Sequence, residues 1–152
     1  MIALLQRVSR SSVVVEGREI ARIGRGFAIL LGVLKGDTET DVGKLVPKLV
    51  HLRIFADEAG KMNRSILDIG GEALVVSQFT LAGSVKKGRR PGFDDAMPPE
   101  EAKRLYERFC REMAGYVPVQ TGEFGAMMEV EIHNDGPVTL WLDTDDLMRA
   151  NG

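Results

Sequence analysis

The sequence predicts a single α+β domain of mostly antiparallel and mixed β-sheet with two main helices. Three observations carry that reading. Short apolar runs punctuated by glycine cluster at both ends of the chain. Two stretches, around 42–50 and 102–113, place apolar residues at helical spacing. Strands and helices do not alternate regularly, so a doubly wound parallel sheet is not expected. The length of 152 residues, with 44% hydrophobic and 28% charged residues, suits one core.

Ala3 to Val8 and Ser12 to Val15 read as two strands, and Glu16-Gly17-Arg18 as a hairpin turn returning through Glu19 to Ile23. After Gly24-Arg25-Gly26, the run Phe27 to Leu34 is apolar throughout, as a strand buried on both faces requires. Asp37 or Thr38 can cap a first helix whose stripe is Val42, Leu45, Val46, Leu49 and Val50. Pro47 lies inside it and predicts a kink or a late start. Arg53 to Ala56 reads as strand, 57–61 as turn and 62–68 as irregular. Glu72 to Thr80, with Val75 and Val76, reads as one strand ending in Ser77-Gln78-Phe79-Thr80.

A long loop follows from Ala82 to Pro99, of the kind that is functional or mobile. It holds Lys86, Lys87, Arg89 and Arg90, four cations in five residues, which on charge alone is most simply a solvated loop. Pro98-Pro99-Glu100-Glu101 opens the second helix, with Ala102, Leu105, Tyr106, Phe109, Cys110 and Met113 on its inner face and Gly115 at its end. Strands return at about 117–120, 127–134 and 138–143, the last two separated by a Gly-Pro. In the former, Val130 and Ile132 alternate with Glu129, Glu131 and His133, so one face is wet. The tail from Asp145 to Gly152 reads as loose.

Several chemistries lose support. Two histidines, His51 and His133, stand far in sequence from any serine or cysteine that would make a triad. Two His and one Cys leave too few zinc ligands, and no glycine-rich phosphate loop is present. Cys110 falls on a core face, where packing is the simpler reading. A net charge of -2 argues against coating nucleic acid with the whole surface. No apolar run is long enough to span a bilayer, and the N-terminus lacks the form of a secretory signal, so a soluble cytoplasmic protein is expected. What remains is catalysis by position and by backbone N–H groups at a strand end. From pattern alone, Ser-Gln-Phe-Thr is more simply a strand leaving the core.

The residues nevertheless resemble a known family. Gln6-Arg7-Val8, Lys61-Met62-Asn63, Val75 through Leu81 and Gly88-Arg89-Arg90-Pro91 carry the likeness, with Ala102 through Phe109, Thr121 through Ala126 and Asn134 through Thr139. Together they are similar to the D-aminoacyl-tRNA deacylases, formerly D-tyrosyl-tRNA deacylases. The resemblance implies a barrel-like core and a cofactor-free, metal-free homodimer. Its substrate would be aminoacylated tRNA, cleaved at the 3′-terminal ester to release a D-amino acid, with glycine from mischarged tRNA also accepted. It assigns the catalytic strand end to Ser77, Gln78, Phe79 and Thr80, and chiral selection to a Gly-cis-Pro, Gly136-Pro137, lent across the subunit boundary. Only about 5–6% of X-Pro bonds in folded proteins are cis, so the residues by themselves favour trans and the resemblance favours cis. Arg7 would orient that loop, Met128 would line the pocket, and Lys86, Lys87, Arg89 and Arg90 would hold tRNA phosphates. Met127 stands where many members carry an acidic residue. A non-catalytic RNA-binding module, a small-metabolite esterase and an inactive interface protein are the competing readings. None includes DNA or a membrane as partner.

Overall fold

In the computed structural model, which describes residues 1–149, one long strand organises the molecule. Strand β1 runs unbroken over Ile2–Val15, where two strands are expected from sequence. Its first half pairs with β3 (Gly26–Gly32), its second half with β2 (Arg18–Ile23), and its other edge with β8 (Glu129–Asp143), all antiparallel. The β1–β2 turn places both Glu16 (φ 49°) and Gly17 (φ 76°) in the left-handed region, the geometry that matches strand twist. β6 (Glu72–Ser77) then joins β3, and β7 (Val119–Thr121) joins β6, both parallel. The sheet order β2-β1-β3-β6-β7, with β8 on β1, curls into a nearly closed barrel. A separate two-stranded ribbon pairs β4 (Phe55–Ala56) with β5 (Met62–Arg64), so the irregular stretch expected over 62–68 begins as a strand.

The two faces of the sheet carry two cores, set by the period of two along β3 and β6, while in β1 the phase slips by one residue between Val8 and Val13, where its pairing with β8 is irregular. Ala3, Leu5, Phe27, Ile29, Leu31, Ala73 and Val75 point outward to the helices. Val8, Val13, Ala28, Leu74 and Val76 point into the barrel. Helix α1 (Glu39–His51) buries Val42, Leu45, Val46, Leu49 and Val50. Its start is fixed by a capping box: Thr40 N donates to Thr38 Oγ1 (3.2 Å) and Thr38 N to Asp41 Oδ2 (2.8 Å). Pro47 neither delays nor interrupts the helix, because this box and the buried stripe outweigh a lost hydrogen bond. Helix α2 (Pro99–Ala114) buries Leu105, Tyr106, Phe109 and Met113.

Two further expectations are corrected. The predicted strand 72–80 stops at Ser77, and Phe79–Ala82 form a 3-10 turn. The tail is not loose from Asp145: Thr144–Arg149 form a helix, α3. It is anchored because buried Thr144 donates from Oγ1 to Asp41 Oδ1 (2.7 Å) and accepts from the Met1 amino group (2.9 Å). The rest of that expectation, residues 150–152, lies outside the described residues. No helix among the described residues is long and apolar enough to cross a membrane.

Candidate active site

β6 delivers Ser77 and Gln78 to the mouth of a cavity of about 620 Å³. Gln78 N donates to Leu31 O (2.8 Å), which holds the strand end against β3 before the chain turns. The turn is closed by Leu81 N to Gln78 O (3.2 Å) and Gly83 N to Thr80 O (2.9 Å). A helical turn leaves its leading N–H groups without intrahelical acceptors; here they belong to Phe79 and Thr80. The Gln78 amide donates to the Thr80 hydroxyl, so these two side chains form a unit. Phe79 is 58% exposed and meets Phe93 edge-on, with ring centroids 5.1 Å apart.

The remaining walls are apolar. Met97 and Pro98 lead into α2, Ala102 lies in its first turn, and Phe124 through Met128 come from the loop before β8. Met128 is packed over Gly122, its Sδ 2.7 Å from where a Cβ on that glycine would stand. Met127 lies on the rim and is 91% exposed. Among the described residues, Ser77 and Gln78 are the only ones in the lining with polar side chains, and no acid, base or cysteine contributes. The histidines are elsewhere: His51 packs edge-on to Tyr116 and His133 pairs with Glu131. Cys110, half-buried on α2, has its thiol pushed up to about 12, chiefly by burial. Its alkylation by iodoacetamide at pH 7.5 should therefore be slow in the folded protein and fast in denaturant. Equal rates, followed by peptide mass, would contradict that.

Arg7, Gly136 and Pro137 do not line this cavity in the same chain. They build a second feature on the barrel surface. Along β8 the pairing with β1 passes from Gln6–Thr139 to Val8–Asn134, so four residues, 135–138, stand opposite Arg7 alone. The ladder does not end at the Gly-Pro, as expected from sequence, but bulges around it. The Gly136–Pro137 bond is cis and Gly136 has φ +133°. Arg7 Nε donates to Asp135 O (3.0 Å) and Nη1 to Ile54 O (2.6 Å). The bulge is thus tied to the chain entering β4. Ile54 could not be foreseen, since its role rests on a carbonyl and any side chain carries one.

Lys86, Lys87, Arg89 and Arg90 are all exposed. The loop that holds them is pinched at its base by paired Ser84–Gly92 backbone bonds, both 2.8 Å. The base of this loop joins the 3-10 turn at Gly83 on one side and Phe93, in the cavity wall, on the other.

The fold and cavity together define a small α+β domain whose curled mixed sheet opens on an apolar pocket at the end of β6. Comparison with known proteins says to which family it belongs. A family profile for D-Tyr-tRNA(Tyr) deacylase matches residues 4–143. The D-aminoacyl-tRNA deacylase of Persephonella marina is 61% identical over 147 residues, covering 97% of this chain and all of that one. That of Nitratiruptor sp. is 60% identical with the same coverage. A solved structure titled c-Myc DNA Unwinding Element Binding Protein superposes with a TM-score of 0.89 at 46% identity, over 94% of this chain and 98% of the other. A probable eukaryotic D-amino acid tRNA deacylase shares the fold, with a TM-score of 0.78 at 22% identity over 93% and 97%. The chain belongs to the D-Tyr-tRNA(Tyr) deacylase family, hydrolases of the aminoacyl-tRNA ester bond.

Proposed function

We propose that this protein hydrolyses the ester of D-aminoacyl-tRNA and spares the L-form, as a homodimer whose active site takes the Gly136-Pro137 loop from the second subunit. The observation that carries the reading is a division of labour within one chain. The amide-bearing strand end opens on a cavity, while the braced Gly-Pro bulge lies outside it. Two copies exchanging bulges would complete both sites.

In that arrangement the ester carbonyl sits at the N–H groups of Phe79 and Thr80, which stabilise the oxyanion as it forms. Gln78 orients the terminal nucleotide, and Thr80 positions rather than attacks. The terminal adenosine 2′-OH helps activate water. Handedness is read by main chain: a fixed peptide near Cα leaves room for hydrogen on one side and for a side chain on the other. A D-residue fits whatever its side chain, and glycine fits too. An L-residue collides. The deciding experiment is paired deacylation of D- and L-aminoacyl-tRNA bearing the same amino acid. Cleavage of the D-form alone is expected, and equal rates would sink the reading.

The basic loop supplies grip on tRNA phosphates. Replacing Lys86 and Lys87 by Ala should weaken binding and reduce the log–log salt slope by about one to two, the loss of as many phosphate contacts. A slope equal to the native one would remove the loop from the tRNA path. The name of the 46%-identical structural relative favours a second reading, nucleic-acid binding without hydrolysis. That reading predicts retention of DNA with no release of amino acid from charged tRNA.

A further inference from the structure

Four residues that leave a strand ladder lose its hydrogen bonds, and their polar groups must find other partners. In the bulge over 135–138, Pro137 has no N–H and Asp135 O is taken by Arg7. On the C-terminal side, both hydrogen bonds to Val138 and Thr139 come from one side chain. Asn134 Oδ1 accepts from Val138 N (2.9 Å), spanning the whole bulge from its last paired residue. Its Nδ2 donates to Thr139 Oγ1 (2.8 Å), and that hydroxyl also accepts from Gln6 Nε2 (3.2 Å) on β1. The carboxamide therefore clasps both residues after Pro137 and ties them to the neighbouring strand. Val138 is the fixed end: it packs on the main core, and its Cγ2 stands 2.9 Å from a Cβ built on Gly136.

We propose that Asn134 is a positioning residue for stereoselection. Its side chain fixes the C-terminal limb of the Gly136-Pro137 loop as Arg7 fixes the N-terminal limb. The proposal rests on the reading above, in which that loop tells D from L. Its logic is geometric. A wedge that excludes a side chain by contact works only while it is held on both sides. Without the carboxamide, the Arg7 bonds and the Val138 side-chain packing remain but the Val138 N–H and the Thr139 hydroxyl are released, so the loop backbone can shift and admit an L-residue.

The test compares kcat/KM on D- and L-aminoacyl-tRNA for Asn134→Ala, Asn134→Asp, Thr139→Val and Gly136→Ala, with a thermal melt of each. For Asn134→Ala the D/L ratio should fall about tenfold or more through a rise in L-cleavage, the scale of one hydrogen bond lost at the discriminating step. Asn134→Asp keeps the acceptor for Val138 N and lets the Thr139 hydroxyl donate instead, so it should recover most of the ratio. Thr139→Val should give a smaller fall. A ratio unmoved by Asn134→Ala but collapsed by Gly136→Ala overturns the role of Asn134 alone. A ratio unmoved by either removes the loop from stereoselection and the proposal with it. An equal loss of D- and L-cleavage by Asn134→Ala that the Asp variant does not repair makes the residue merely structural, which also overturns it.

Discussion

Gly136→Ala is expected to erase most of the preference for D- over L-aminoacyl-tRNA, by about a hundredfold or more, while the chain still folds. The reason is local. At φ +133° an L side chain is strained by about 1–3 kcal/mol. The new Cβ would also stand 2.9 Å from Val138 Cγ2 and 3.0 Å from both Arg7 Nη2 and Val138 N. Val138 is held by the core, so the easier relief is for the loop to swing and for Arg7 to release Asp135 O. Each 1.4 kcal/mol of discrimination is about tenfold in rate, so displacement of a contact wedge removes about two orders of magnitude. The exposed position of Gly136 limits the cost to the fold. Single-turnover deacylation of matched D- and L-substrates measures the ratio. A native ratio in a variant whose loop has demonstrably moved would show that handedness is read elsewhere.

The second large effect concerns the proton. Among the described residues, none lining the cavity is a general base, and both histidines are engaged away from it. A tRNA ending in 2′-deoxyadenosine, with the amino acid on its 3′-oxygen, should therefore be cleaved about 10²–10⁴ times more slowly, the usual worth of general acid–base assistance. Thr80→Val should cost much less, about tenfold, because its hydroxyl only receives the Gln78 amide and holds the turn in register. Burst kinetics distinguish the roles. Accumulation of an acyl-enzyme at Thr80, or a native rate on the deoxy substrate, would make the protein supply the chemistry assigned here to RNA.

Much of the scaffold is written locally. The stripe at Val42, Leu45, Val46, Leu49 and Val50 announces α1, and the spacing from Ala102 to Met113 announces α2, because each pattern depends only on neighbours three and four apart. The unbroken apolar run after Gly26 correctly implies burial on both faces, and Glu16-Gly17 correctly implies a hairpin. The misreadings share a cause. Ser9 to Ser11 look like a break in β1, yet β2, β3 and β8 together pair the strand along its length. Ser77 through Thr80 look like strand because Phe and Thr favour it, yet Gln78 N is held by Leu31 O and the chain folds into a 3-10 turn. The first part of the expected loose tail, 145–149, is helix because Thr144 is buried against Asp41 and the Met1 amino group, more than a hundred residues away in sequence.

The sequence by itself determined the fold class, both long helices and the family, since these rest on periodicity and on motifs of adjacent residues. Tertiary structure alone decided where the 3-10 turn after β6 begins, that the Gly-Pro sits in a bulge rather than at a strand end, and which groups brace it. Those features depend on which distant backbone atoms take up unpaired hydrogen bonds. Arg7 meets the carbonyls of Asp135 and Ile54 only because β1 lies beside both, and a carbonyl leaves no mark in a residue's identity.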